Sequence, residues 1–213
     1  MAQMDTALLR NHPLFSFGTL QDADVFHVVT GGLSLKRIPH HEAWLADYRV
    51  VNAIDGPHPV LQPAAGDWAP GLLIHDLPES ALDRIAWFEW PEFQPGRRLV
   101  VTGGATRPCA CFLPEQTFPA SEAPWSLEGW AREEKTELMA YAELMMEFYR
   151  VCTAEELDLY WEDLLARVKG RQGQLPSHME ARCLQLGKNP GRFLEAYLRL
   201  VAFEEKDDHS AAS

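Results

Sequence analysis

The sequence predicts an α+β protein, a strand-rich half followed by an α-helical extension. Three observations lead there. Up to about residue 113, short apolar runs are cut by Gly, Pro or Asp; from residue 126 onward, long segments carry helical periodicity. Between them PCACFLPEQTFPASEAPW is proline-punctuated and aperiodic, so residues 114–125 read as a connector between a domain at 1–113 and an extension at 126–213.

The expected strands are LFSFGTL, YRVVNAI, APGLLIHDL and RRLVVTGG, rich in Val, Leu, Ile and Phe. Two brief helices interrupt them. DADVFHVVTGG opens on Asp22 as a candidate N-cap and stops at Gly31-Gly32, and ESALDRIAWFEW is closed by Pro91. The string VVTGG occurs twice; it ends a helix at residues 28–32 and carries a strand into a turn at 100–104. In the extension, SLEGWAREEKTELMAYAELMMEFYRV reads as one long helix. TAEELDLYWEDLLARVKG and SHMEARCLQLG each open with a capping box, Thr153 to Glu156 and Ser177 to Glu180, and RFLEAYLRLVAFEEKDD completes the set.

Composition narrows the function classes. The chain is 46% hydrophobic and 23% charged, as globular proteins are, and Lys+Arg 19 against Asp+Glu 31 gives a net charge of −12. With no basic run in an acidic chain, neither nucleic acid nor an anionic membrane is an expected partner. No segment approaches the ~20 apolar residues of a membrane span, and the N-terminus lacks the apolar core of a signal peptide. Four scattered cysteines, Cys109, Cys111, Cys152 and Cys183, point to reduced thiols in the cytoplasm. Cys109 and Cys111 alternate on an expected strand, one expected buried and the other exposed.

Glu89 is the local anomaly. At about 100° per residue, Leu82, Ile85 and Ala86 form an apolar stripe with Asp83 and Arg84 turned away, and Glu89 falls near its middle among Trp87, Phe88 and Trp90. A carboxylate there must be paired, hydrogen-bonded or shifted in pKa, since burying it bare costs several kcal/mol. The plain alternative is a helix-end glutamate that reaches water or pairs with Arg97 or Arg98. The second feature is Phe17-Gly18-Thr19-Leu20, where an apolar strand breaks into a helix start. Such a junction presents backbone N–H groups, and glycine allows close approach.

FGTL, then the Pro59-Val60-Leu61 and Gly71-Leu72-Leu73 elements, then LDRIAWFE come in the order found in AIG2-like, or gamma-glutamylcyclotransferase-like, proteins, which the chain resembles over residues 13–113. The resemblance implies a small mixed β-barrel with short helices and a pocket between the FGTL loop and Glu89. It implies a gamma-glutamyl cyclotransferase, releasing 5-oxoproline from a small gamma-glutamyl amine or peptide without a cofactor. Glu89 is then the general acid/base, and Phe17, Gly18, Thr19, Leu20 and Phe93 form the substrate-binding set. Phe17 stands where the family usually has a tyrosine, Phe93 and Arg97 or Arg98 follow the glutamate where relatives carry Tyr and Arg, and Phe112 stands at a later tyrosine.

Two other readings stay open: a non-catalytic AIG2-like module that binds a ligand or partner through the helical extension, and another acyl transfer at the same pocket. The extension is also an open route to a homodimer. His40-His41 with His58 and His75 lack any metal-ligand spacing, so no metal is expected. The Trp and Met residues of the extension are expected in a core, with a partner-binding surface as the alternative.

Overall fold

The computed structural model describes residues 7–54, 58–89, 93–114, 118–154, 157, 177–189 and 191. The chain divides into two compact units, residues 1–135 and 136–213.

The first unit contains α1 (Ala7–Asn11), β1 (Leu14–Ser16), α2 (Ala23–Thr30), β2 (His40–Ala53), β3 (Pro59–Ile74), α3 (Glu79–Phe88), β4 (Phe93–Thr102), β5 (Ala105–Pro114), β6 (Ala120–Pro124) and α4 (Leu127–Glu133). The strands run in the order β3-β1-β5-β4-β2-β6, and an extra β2–β3 pairing closes the first five into a barrel. The β1–β5 contact is parallel and the others are antiparallel, so the barrel is mixed. Closure removes the edges that an open sheet would leave unpaired.

Its interior is apolar. Phe15 and Phe17, Ala43, Leu45 and Val50 of β2, Leu61, Ala69 and Leu73 of β3, and Val100 of β4 pack together. Cys109 and Cys111 are both buried in the same cluster. The expectation that one would be exposed fails because residues two apart on a strand face the same side. Gly71 sets how closely β1 and β3 approach: a Cβ there would collide with the Ser16 carbonyl oxygen and the Phe15 ring.

Local chemistry explains the turns. The β4–β5 hairpin turns at Gly103 and Gly104, with φ of 55° and 76°, the left-handed pair that a two-residue hairpin demands. The long β2–β3 pair bends at a bulge where Asp47 takes φ of 62° and its carboxylate accepts the Gly66 N–H at 2.9 Å. Beyond that bend β2 pairs with β6. The proline-rich stretch after β5 thus contains a strand. Its Ala, Ser, Glu and Pro residues have little strand propensity of their own, and the ladder with β2 supplies the order.

In α2, Val25, Phe26 and Val29 are fully buried. Asp22 caps its start, Oδ1 accepting from Asp24 N–H at 3.0 Å and Val25 N–H at 3.2 Å. Gly31 at φ 78° closes its end, with Gly32 N–H donating to His27 O and Gly31 N–H to Val28 O.

α5 (Lys135–Phe148) begins on the last residue of the first unit; its remainder, in the second, buries Leu138, Ala142, Leu144, Met145, Met146 and Phe148. α4 and α5 are separate helices, broken at Glu134, where a single long one was expected. α6 (Ser177–Gln185) ends at Gly187, φ 67°, with Lys188 N–H donating to Cys183 O. Glu156 of the Thr153–Glu156 capping box and all of RFLEAYLRLVAFEEKDD lie outside the described residues. Among those described, no helix is long and apolar enough to cross a membrane.

Candidate active site

The barrel delivers the first half of the candidate site at the end of β1. Phe17, Gly18, Thr19 and Leu20 are all buried, and Thr19–Gln21 wind into a single 3-10 turn. Gln21 fixes this turn by donating to the Gly18 carbonyl twice, from its N–H at 3.1 Å and from Nε2 at 3.2 Å. No side chain caps the turn, and among the described residues no acceptor pairs with the N–H groups of Gly18, Thr19 or Leu20. Buried backbone donors are nearly always paired, so three in succession suit an acceptor brought by a ligand. Gly18 has φ of −118°, which any residue can adopt. It is needed for space: a Cβ there would stand 2.5 Å from Cγ of Pro59, the first residue of β3. One residue earlier, His58 is held toward its neutral form by burial.

The second half comes from α3. Leu82, Ile85 and Ala86 bury its apolar face, and Glu89 closes the helix, its N–H donating to Ile85 O at 3.0 Å. Glu89 keeps some exposure as a residue, yet its carboxyl is crowded by protein, and desolvation raises its pKa from 4.5 to about 7. Among the described residues no charge offsets that burial. Arg98 turns instead to Tyr48, donating from Nε to the phenol oxygen at 3.1 Å. Phe93 begins β4 and packs against Phe118, ring centroids 4.8 Å apart.

A device that the helical wheel missed joins the two halves. Arg84, which the wheel turned outward, reaches from α3 to the C-terminal carbonyls of α2, Nε to Val29 O at 2.8 Å and a terminal nitrogen to Val28 O at 3.2 Å. A helix end presents unpaired carbonyls and a partial negative charge, and the guanidinium answers both. The FGTL turn leads directly into α2, and α3 ends on Glu89, so this clamp ties the elements that carry them. No hydrogen bond runs from Glu89 to the turn. At the front of α2, Asp22 is also held by Lys135, whose Nζ lies 2.8 Å from Asp22 Oδ2 and 2.7 Å from Asp24 Oδ2.

The histidines gather elsewhere. His12, His40, His41 and His75 line an open cleft of about 1340 Å³, beside the starts of β1, β2 and β5, with the His41 and His75 rings edge to face at 5.6 Å. His58 is not among them. Among the described residues no group of three or more His, Cys, Asp or Glu is placed to hold a metal ion.

A profile of the gamma-glutamyl cyclotransferase, AIG2-like family matches residues 14–132, more than half of the chain. The chain belongs to this family. The AIG2-like match starts on the first residue of β1 and runs through the barrel and β6 into α4. Among solved structures, the chain is similar to the solution structure of At5g39720.1 from Arabidopsis thaliana, at 20% identity, with 65% of this chain and 93% of that one covered and a TM-score of 0.43. It is also similar to the solution structure of At3g28950.1 from the same plant, at 16% identity, with 65% and 83% covered and a TM-score of 0.47. No curated protein sequence matches the chain.

Proposed function

We propose that this AIG2-like chain is a gamma-glutamyl cyclotransferase that releases 5-oxoproline from a small gamma-glutamyl amine or peptide, with Glu89 as general acid/base. In this reaction the substrate's α-amine attacks its own γ-amide carbonyl, the amide C–N bond breaks, and the amine leaves. The α-amine is an ammonium near neutral pH and must give up a proton; the leaving amine must receive one. One carboxyl can take the first and return the second if its pKa stands near the working pH. The observation that carries the proposal is Glu89 itself, a helix-end carboxyl that desolvation raises to about 7. The N–H groups of Gly18, Thr19 and Leu20 would serve the substrate carboxylate and the oxyanion that develops on the amide carbonyl. Phe17 and Phe93 would supply apolar walls.

The test is 5-oxoproline release from a panel of gamma-glutamyl amines and dipeptides, with Glu89→Gln beside the wild type and folding checked by circular dichroism. Release by the wild type that drops about 10²–10⁴-fold in the variant supports the acid/base role. A well-folded wild type that releases nothing from any substrate overturns the enzyme reading in favour of a binding module, and an open glutamate product would indicate amide hydrolysis.

A further inference from the structure

The end of the barrel where β1 begins carries a polar cluster that the FGTL turn, at the other end of β1, does not use. His41 pairs with core Leu73 and lies two residues before core Ala43; Arg107 pairs with core Val100 and lies two before core Cys109. Thr102 lies two residues after Val100, and His75 two after Leu73. Side chains two apart on a strand share a face, so all four stand on the interior side, at the barrel's mouth. They line the open cleft described above, with His12 and His40 beside them.

The mouth reverses the charge of the chain around it. Although the net charge is −12, Glu42 is the one carboxylate among the described residues that line the cleft. It sits between His41 and Ala43, so alternation turns it to the outer side of β2. The exposed Arg107 guanidinium pairs with no carboxylate among the described residues. His75 Nε2 is buried without a hydrogen-bond partner, and the exposed His41 ring lies edge to face against the His75 ring at 5.6 Å. Buried polar atoms are nearly always paired, so a donor-rich mouth with an unpaired nitrogen at its base suits an incoming acceptor. A carboxylate offers two oxygens in one plane, which a single guanidinium can satisfy. Donors on three strands around a ring fit the tetrahedral oxygens of a phosphate group instead. We infer that this mouth is a second binding site, for the phosphate group of a small molecule. Arg107 and His41 meet the phosphate first, and His75 Nε2 is reached as the His41 ring gives way. Imidazoles gain charge on mild acidification, which strengthens the grip. The charged and titratable groups around the two rings are Arg107 of β5, Glu42 and His40 of β2, His12 ahead of β1, and exposed Asp76 next to His75.

Titration of the full chain with inorganic phosphate and with phenyl phosphate, followed by the imidazole signals in proton–carbon NMR spectra, tests this. The His41 and His75 signals should shift saturably, with half the effect at about 1 mM or below, and at lower concentration at pH 6.5 than at pH 8. Arg107→Glu, at an exposed position, should weaken binding by about tenfold or more with unchanged circular dichroism. His41→Ala, also at an exposed position, should weaken it by about threefold. Either probe bound in this way upholds the site, and the tighter of the two tells whether a monoester or the free ion is its ligand. No saturable shift with either probe overturns the inference, as does an affinity that Arg107→Glu leaves unchanged. Succinate bound as tightly as phosphate would overturn the phosphate assignment.

Discussion

The barrel interior and the end of α3 both bury a titratable group, and the same force gives opposite outcomes. Desolvation pushes the Cys109 thiol up to about 11 and the Cys111 thiol to about 12. It pushes the Glu89 carboxyl up to about 7. In each case burial disfavours the charged form. A thiol starts above neutrality, so the shift removes it from chemistry at physiological pH. A carboxyl starts below, so a shift of similar kind brings it to where it can both take and give a proton. Burial therefore leaves the thiols protonated near neutral pH and places the carboxyl where it can exchange a proton, and the starting pKa decides which.

Removing the carboxyl should have the largest effect. Glu89→Gln keeps the shape and deletes the proton transfer, for an expected loss of about 10²–10⁴ in turnover. In the wild type, kcat/KM should rise with pH through about 7 as Glu89 becomes the base, and that limb should be missing from whatever activity the variant retains. A rising limb that persists in the variant would assign it to another group.

The same shift predicts a stability effect of the next size. The folded pKa of Glu89 lies above its unfolded value near 4.5, so between these pH values the folded state holds the proton and the unfolded state has lost it. Stability then falls as pH rises through this window, by at most about 3 kcal/mol, and levels off above it. Urea unfolding at several pH values should show the wild type losing stability relative to Glu89→Gln from about pH 4.5 to 7. Parallel curves would mean that the carboxyl is better solvated than its surroundings imply.

Much of the fold was legible where the chemistry is local. Asp22 as a cap, Gly31-Gly32 as a stop and Gly103-Gly104 as a turn each follow from a residue and its immediate neighbours. The closed barrel did not come from periodicity, because the parallel β1–β5 contact joins residues far apart in sequence; the FGTL, PVL, GLL and LDRIAWFE elements gave it through resemblance. Arg84 escaped the wheel because a wheel places a Cα direction, while a long guanidinium side chain reaches a helix 55 residues away in sequence. For Glu89, the stripe suggested burial, but that Arg98 bonds to Tyr48 is settled by tertiary structure and not by sequence spacing. The sequence did suggest that the FGTL junction presents backbone N–H groups; that three in succession find no acceptor among the described residues depends on where every neighbouring acceptor lies.

Gly18→Ala separates the turn's shape from the carboxyl's chemistry. The new methyl meets a proline ring, which cannot rotate aside, so β3 or the turn must shift. The expected cost is about 1–3 kcal/mol, as for other overpacked sites. Because the turn would carry the substrate carboxylate, KM should rise more than kcat falls, with the pH limb near 7 unmoved. A variant that lost turnover at unchanged KM would argue against a binding role for the turn.

The smallest expected effect lies in the barrel interior. With both thiols pushed far above neutrality and buried, Cys109 and Cys111 should resist a thiol reagent at pH 8 in the native protein and react on denaturation. Cys109→Ala removes one small buried atom, which should cost about 1 kcal/mol and leave turnover within about twofold of wild type. Rapid native labelling of the Cys109 site, or a large loss of activity in Cys109→Ala, would mean that the interior opens or takes part in the reaction. The contrast between the two buried regions would then collapse, since one desolvated region could no longer be told from the other by starting pKa alone.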